Sequence, residues 1–155
     1  MSFEARAKEL GITIPELPAP AFSYVPAVRT GNLVYASGQT PTVNGELTMQ
    51  GKLGRDVSIE QGQQGARLCA INCLAEVRGL VGSLDEIVRI VKVNGYVASA
   101  EGFTDQPKVI NGASQLFEEI FGDAGKHSRA AIGVAELPAG APVEVEIIVE
   151  VKPRP

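Results

Sequence analysis

The chain has 155 residues, 45% of them hydrophobic and 21% charged, which is typical of one globular domain. Its net charge of -4, its single histidine and its lack of tryptophan or a basic cluster disfavour nucleic-acid binding and exclude a two-histidine nuclease within one subunit. No apolar run approaches the roughly 18 residues of a membrane span and no signal peptide begins the chain, so we expect a cytosolic protein.

The N-terminus predicts a short extension of a single domain that covers residues 1–155. Ser2 to Leu10 has the pattern of a short helix with Ser2 as its N-cap. We expect residues 1–18 to form this helical extension, and the proline-rich stretch Pro15 to Pro26 to act as a linker.

Two turn signals follow the linker. The strand patterns Tyr24 to Arg29 and Leu33 to Ser37 flank a glycine-containing turn and predict a β-hairpin. Pro26 indicates that the first of these strands lies at a sheet edge, because proline cannot donate to a strand ladder. The dipeptide Asn44-Gly45 predicts a type I′ turn in a small excursion before the first long helix.

The long helix is predicted from Ser58 to about Val81, before Gly82. Ser58 and Gln61 have the spacing of a capping box. Arg67, Glu76 and Arg78 fall mostly outside the apolar stripe of this helix. The stripe itself consists of residues at helical spacing: Ile59, Ala66, Cys69, Ala70, Cys73, Leu74, Val77 and Leu80.

The second half of the chain predicts a strand, a helix and two more strands. Ile87 to Ala98 is rich in β-branched residues, and Asp105 would cap a helix that has Pro107 in its first turn and ends at Phe121. The last strands are Arg129 to Ala135 and Val143 to Val151.

This order of elements predicts an α+β fold with a mixed sheet of about six strands and two helices packed on one sheet face. Two helices leave the opposite face of the sheet uncovered. We therefore expect other subunits to cover at least part of that face.

The last predicted strand has an unusual acidic face. Side chains alternate along a strand, so Val143 shares the core face with every second residue, whereas Glu144, Glu146, Ile148 and Glu150 share the other face. Three carboxylates on one face repel each other unless they are solvated, paired with cations or used chemically.

Arg129 begins the preceding strand and places a cation beside this acidic face. A guanidinium group grips a planar carboxylate bidentately, and a nearby glutamate can orient water against the bound molecule. The pattern is thus typical of a site for a small carboxylic acid with a hydrolysable bond. The competing interpretation is a set of solvated glutamates with one structural salt bridge.

The remaining reactive side chains are predicted to be structural. Cys69 and Cys73 are too far apart on one helix for a disulfide, and no histidine or carboxylate accompanies them as in a metal site. We expect both to be reduced and buried in the core. The only histidine, His127, is predicted to lie in a solvent-exposed loop, with an acid-base role as the alternative.

Two separated motifs resemble the RidA/YjgF/UK114 family, also labelled endoribonuclease L-PSP-like. The first is Ser128-Arg129 followed by Gly133 to Pro138 and Val143 to Glu146. The second is Gly31 to Pro41, with Tyr24 upstream at the position of the family's tyrosine. The likeness covers roughly residues 19–151.

The resemblance implies a chorismate-mutase-like domain in a homotrimeric, barrel-like assembly with ligand clefts between subunits. The implied activity is hydrolysis of reactive 2-imino or enamino acids to 2-keto acids and ammonia, without cofactor or metal. By this resemblance Arg129 binds the substrate carboxylate and Glu144 positions the attacking water, with Glu146 as the rival for that role. The other implied substrate-binding residues are Tyr24, Ser37, Gly38, Ser114 and Ala131.

Two departures from the family pattern indicate a divergent subgroup. Ala131 stands where the best-known members have cysteine, and Ser114 stands where they have asparagine. The alternative function is a non-catalytic trimer that binds small keto acids or related carboxylates as a sensor. The two functions differ in their dependence on Glu144, which only the enzyme needs.

Overall fold

The computed structural model of the chain describes residues 1–20 and 22–155. Its centre is a mixed sheet of five strands in the order β1-β2-β7-β5-β6. These strands are β1 (Ala27–Thr30), β2 (Leu33–Gln39), β5 (Ile87–Ala98), β6 (Ser128–Val134) and β7 (Val143–Val151).

The predicted strand number of about six is one too high for this sheet. The excursion at Asn44-Gly45 forms a separate two-stranded ribbon of β3 (Thr42–Val43) and β4 (Glu46–Leu47), which pair only with each other. Asn44 and Gly45 have φ values of 53° and 80°, so both adopt the positive φ that the predicted type I′ turn requires.

Both predicted long helices are present, and they lie on one face of the sheet. Helix α2 (Ile59–Val81) begins with the predicted capping box, in which Ser58 Oγ accepts from the Gln61 amide at 3.1 Å and Gln61 Oε1 accepts from the Ser58 amide at 2.9 Å. Helix α3 (Gln106–Phe121) follows Asp105, whose carboxylate makes no capping hydrogen bond and pairs with Lys108 at 3.6 Å instead. No helix among residues 1–20 and 22–155 is long and apolar enough to cross a membrane.

The first hairpin is present, but its first strand is shorter than predicted. β1 begins at Ala27, because Pro26 has no N–H to donate and contributes only its carbonyl, which accepts from the Ser37 amide at 2.8 Å. β1 is one of the two edge strands of the sheet, as Pro26 predicted. The pairing of β1 with β2 ends at Ala36, and a register shift between Ala36 and Gln39 follows in β2. Residues 37–39 therefore lie on an uncovered edge.

The position of β6 differs from the sequence prediction. β6 pairs in parallel with β5, and α3 forms the crossover between them, whereas β7 lies antiparallel between β2 and β5. The prediction that Arg129 and the glutamates occupy neighbouring strands is therefore wrong. Parallel strands need a long crossover, which α3 provides between β5 and β6, and β7 pairs with the opposite edge of β5, so β5 separates β6 from β7.

The N-terminal residues pack on the domain. Helix α1 (Phe3–Glu9) has its predicted N-cap, since Ser2 Oγ accepts from the Ala5 amide at 3.0 Å. The Phe3 ring lies 4.7 Å from that of Phe121 in an edge-to-face arrangement, and the Phe3 amide donates to Asp85 at 2.7 Å.

The core lies between the sheet and the two helices. Cys69 and Cys73 are buried and unoxidised as predicted, and burial raises the pKa of both thiols well above the ordinary value. Two positions of α2 contradict the predicted stripe: Leu80 is 44% exposed, and Glu76 is only 4% exposed. Residues 76 and 80 lie about one turn apart on the same side of α2, so this side is covered at Glu76 and becomes exposed one turn later, at the C-terminal end of the helix.

The close contact of the two long helices gives a first test. A Cβ at Gly112 would overlap the Gln63 carbonyl of α2, whereas a Cβ at Gly79, on the exposed side of α2, would meet nothing within 4 Å. We expect Gly112→Ala to lower the free energy of unfolding by about 2–3 kcal/mol and Gly79→Ala to raise it by up to about 1 kcal/mol. Urea unfolding measures both; equal effects of the two substitutions would contradict the packing described.

Candidate functional site

Arg129 lies on the α3 side of the sheet, at its β6 edge. It occupies one row of the sheet with Val93 and Ile147, both buried under the helices. Its Nη1 donates to Asn111 Oδ1 at 2.8 Å and to Ser114 Oγ at 3.2 Å, and its Nη2 donates to the Pro107 carbonyl at 3.3 Å. Three groups of one helix therefore fix the guanidinium.

The remaining donors of Arg129 have the geometry of an anion site. A guanidinium has five N–H donors, and these contacts use three, leaving one on Nε and one on Nη2. No carboxylate of the described residues lies within 4.0 Å of this half-buried cation. Two adjacent donors and an uncompensated charge are what a carboxylate needs for bidentate binding.

The surroundings of Arg129 include two residues that the sequence did not assign to it. Asn111 lies one helical turn before Ser114 and supplies the amide oxygen nearest to Arg129. The prediction that His127 is solvent-exposed is wrong: it is half-buried, its Nε2 lies 2.9 Å from Ser114 Oγ, and its Nδ1 lies 2.6 Å from the Gly125 carbonyl oxygen. We call the set Arg129, Asn111, Ser114, His127 and Ala131 the arginine half-site.

A histidine whose Nδ1–H donates to a backbone carbonyl keeps Nε2 as an acceptor. The Ser114 hydroxyl then donates to His127 and accepts from Arg129, so its single proton has a defined direction. Ala131 lies on the same strand face two residues after Arg129 and is partly buried against the core.

The other predicted residues lie along a separate cleft of about 950 Å³. Tyr24, Ser37, Gly38 and Glu144 line it together, and we call them the carboxylate half-site. A Cβ at Gly38 would lie 2.7 Å from Glu144 Oε2, so a larger residue here would require the Glu144 carboxylate to move from its present position. Tyr24 is 49% exposed and precedes β1, rather than lying in a strand as predicted. Ser37 Oγ donates to the Val25 carbonyl at 2.7 Å and fixes the edge of the cleft.

Hydrogen bonding distinguishes the two neighbouring glutamates of β7. Tyr96 donates to Glu146 Oε1 at 2.6 Å, and Asn94 donates to the same oxygen at 3.2 Å. The bond to Glu146 raises the pKa of Tyr96 to about 12. Within residues 1–20 and 22–155, no protein group donates to Glu144, and burial, followed by the charge of Glu146, raises its pKa. Glu144 is thus the carboxylate that is available to water.

One chain does not bring the two half-sites together. Glu144 shares its row with Tyr96 and Ile132 on the open face of the sheet, whereas Arg129 points to the helix face. Two strand spacings of about 4.8 Å also separate β6 from β7. Arg129 and Glu144 of the same chain therefore cannot contact one ligand of a few carbon atoms.

Glu76 lines the same cleft, although the sequence placed it outside the buried face of α2. Neither carboxylate oxygen has a hydrogen-bond partner among the described residues. Burial raises the pKa of Glu76 to about 9, a shift that the neighbouring Gln39 side chain offsets only in part. The carboxyl group is therefore neutral at pH 7 when nothing is bound.

Comparison with known proteins gives a consistent picture. A family model described as YjgF/chorismate mutase-like, putative endoribonuclease, matches residues 4–151. Protein TCP17 of Trypanosoma cruzi is 42% identical over 94% of this chain and 92% of its own length. A protein of Dermatophagoides farinae named 2-iminobutanoate/2-iminopropanoate deaminase is 30% identical over 91% of this chain and 95% of its own length.

Solved structures share the fold. Protein Atu1372 of Agrobacterium tumefaciens, whose function is unknown, superposes with a TM-score of 0.87 at 47% identity over 96% of this chain and 91% of its own. TdcF of E. coli, solved with bound serine, superposes with a TM-score of 0.65 at 25% identity over 88% of this chain and 94% of its own.

The buried carboxyl of Glu76 makes stability depend on pH. Below the ordinary glutamate pKa of 4.5, Glu76 holds its proton in both the folded and the unfolded chain. Between about pH 4.5 and 9, only the unfolded chain releases this proton. The free energy of unfolding therefore falls as pH rises through this range. We expect Glu76→Gln to raise Tm, relative to wild type, by about 5 °C more at pH 8.5 than at pH 5.

Differential scanning fluorimetry at the two pH values measures this difference. The exposed Glu118→Gln on α3 is the control, and it should show no such pH dependence. The same shift for Glu76→Gln at both pH values would show that Glu76 is not neutral in the folded chain.

Proposed function

Because this chain belongs to the YjgF/chorismate-mutase-like family, we propose that its copies assemble with the arginine half-site of one subunit facing the carboxylate half-site of the next. The composite cleft hydrolyses 2-imino and enamino acids to 2-keto acids and ammonia. The observation that carries this proposal is Arg129, a fixed cation with two available donors and no counter-ion among the described residues.

The open face of the sheet supports such an assembly. Val28, Tyr35 and Ile148 lie in one row across three strands of this face, and Val28 and Tyr35 are 52% and 44% exposed in the single chain. Ile132, at the β6 edge of the same face, is 49% exposed. Burial of these side chains between subunits would favour association, and we propose a homotrimer that closes the sheets into a barrel-like core.

The proposed reaction needs positioning more than a nucleophilic side chain. Arg129 of one subunit holds the substrate carboxylate, and Glu144 of its partner holds a water molecule against the C=N carbon. The raised pKa of Glu144 suits it to accept a proton from that water near neutral pH. With a protonated imine as substrate, Glu144 returns that proton to the nitrogen of the tetrahedral adduct, the C–N bond breaks, and the hydroxyl proton passes to the departing ammonia as the C=O bond of the keto acid forms.

The relatives support the reaction class. The D. farinae relative is named as a deaminase of small 2-imino acids, and TdcF binds serine, an amino acid with the same carboxylate group. A substrate with a carboxylate next to an imine carbon fits both half-sites. A cytosolic location is part of the same proposal.

A second candidate function is carboxylate binding without catalysis, as in a sensor of small keto acids. The arginine half-site favours it, because the hydrogen bonds to Asn111, Ser114 and Pro107 orient Arg129 without any contribution from Glu144. Substitution of Glu144 distinguishes the two functions.

We expect Arg129→Ala to reduce kcat/KM for imine hydrolysis by about 30-fold to 1000-fold, because the bidentate contact is lost. Glu144→Gln should reduce kcat and leave keto-acid binding intact. The assay measures keto acid formed from imines that an amino-acid oxidase generates, with semicarbazide as the competing trap.

Glu146→Gln is the matched comparison on the same strand. A larger loss of kcat for Glu146→Gln than for Glu144→Gln would reverse the roles of the two glutamates. An inactive wild type that still binds keto acids would favour the sensor.

Mixed assemblies test whether one site uses two chains. Arg129→Ala and Glu144→Gln subunits, unfolded together and refolded at equal amounts, place an intact arginine opposite an intact glutamate in about a quarter of the composite sites. We expect about that fraction of wild-type activity in the mixture and almost none in either variant alone. No recovery in correctly assembled mixtures would place both residues in the site from one chain.

A further inference from the structure

The inner wall of the cleft contains a buried carboxyl group that makes no hydrogen bond within the described part of the chain. Glu76 is 4% exposed, lines the cleft, and has no hydrogen-bond partner for Oε1 or Oε2 among the described residues. Buried polar groups are almost always hydrogen-bonded, because desolvation without a partner is costly. An unsatisfied group that faces a cavity therefore points to a ligand.

The nearest polar side chains are already engaged elsewhere. Asn72, one turn earlier on α2, donates through its amide to the Thr40 carbonyl at 3.3 Å and to the Thr42 carbonyl at 3.0 Å. Arg78 donates to the Ile14 carbonyl and pairs with Glu4 at 3.6 Å. The one internal donor left near Glu76 in this part of the described chain is the Gln39 side chain, which offsets the raised pKa of Glu76 only in part and makes no hydrogen bond to either carboxylate oxygen.

The charges of the cleft indicate what kind of donor it takes. Among the described residues that line it there is no lysine, arginine or histidine. Four glutamates line it instead: Glu16, Glu76, Glu144 and Glu146. A concave surface with charges of one sign attracts ligands of the opposite sign.

We propose that the Glu76 end of the cleft binds a cationic nitrogen group, such as a guanidinium, at the far end of the substrate side chain. The inference rests on the proposed function for the rest of the substrate, whose carboxylate Arg129 of the partner subunit would hold. It assigns to this chain the imino acids with basic side chains. The cleft, at about 950 Å³, has room for such a side chain, since pockets of this size hold much larger molecules.

Binding of a cation beside Glu76 also moves a proton. The empty carboxyl is neutral, because burial holds its pKa at about 9, and a cation in contact favours the ionised form. A bound guanidinium therefore displaces the Glu76 proton into solvent. The other titratable or charged groups around this position are the Cys73 thiol and Arg78 of the same helix, Glu4 of α1, Glu16, and Glu144 and Glu146 of β7.

The test compares two keto acids of equal chain length. The probe is the 2-keto acid of arginine, which does not cyclise as readily as an ω-amino keto acid, and the control ligand is an unbranched, neutral 2-keto acid. We expect calorimetry at pH 7.5 to show at least about tenfold tighter binding of the guanidino probe to wild type. We also expect release of close to one proton, measured in buffers of different ionisation enthalpy.

The variant Glu76→Gln should erase this preference and the proton release while it leaves binding of the neutral keto acid unchanged. Glu118→Gln, exposed on α3, should behave as wild type. Equal affinity of wild type for both ligands, or a preference that survives Glu76→Gln, would overturn the inference. If Glu76→Gln does not fold, two measurements on wild type test the inference: its preference for the guanidino probe over the neutral keto acid, and the number of protons released on binding. Absence of either one would overturn the inference.

Turnover separates this inference from the proposed function. Hydrolysis of aliphatic imino acids without any guanidino preference would leave the proposed function standing and remove the basic-side-chain subsite. A Glu76-dependent guanidino preference in binding, without hydrolysis of any imino acid, would leave the subsite standing in a non-catalytic protein.

Discussion

The parallel ladder between β5 and β6 is the interaction on which the rest of the candidate site depends. It places Arg129 in the same buried row as Val93 and Ile147, directly under α3. The crossover helix that makes the ladder possible also supplies the groups that hold the guanidinium, Asn111 and Ser114. Because β7 lies beyond β5 and turns its glutamates to the opposite face, a single chain keeps Arg129 and Glu144 apart.

The glutamates of the cleft show how hydrogen bonding gives one residue type several states. Glu146 has two donors from β5 and is held in place. Glu144 has no donor among the described residues, and its carboxylate occupies the space that a side chain at Gly38 would take. Glu76 has none and is buried on the helix side, where it keeps its proton. A hydrogen-bonded carboxylate, a carboxylate without a protein donor and a neutral carboxylic acid therefore line one cavity.

Local sequence signals predicted most of the fold. The capping box at Ser58, the turn at Asn44-Gly45 and the β-branched run of β5 act between residues close in the chain, so their structures follow from local chemistry. The order of the strands is a long-range property, and for that reason the sequence misplaced Arg129 relative to β7. The predicted count of about six strands was one too high, because no local sequence signal shows whether a short ribbon such as β3-β4 joins the main sheet or pairs only with itself.

The site residues were predictable to different degrees. Resemblance indicated Arg129 and Glu144, but their separation within one chain required the strand order. Asn111 lies three residues before Ser114, so helical spacing was the signal that could have identified it. The engagement of His127 depends on a turn that brings it back to α3, and the burial of Glu76 contradicts its polarity; neither has a local signal.

The two cysteines bear on the survival of the protein beside its proposed substrates. Imines and enamines are electrophilic or rearrange to electrophiles, and thiolates are the side chains that such compounds modify first. Both thiols are fully enclosed and protonated, and alanine occupies position 131 in the arginine half-site. No cysteine is among the described residues that line the cleft, so a reactive metabolite bound there would meet oxygen and nitrogen groups rather than a thiol.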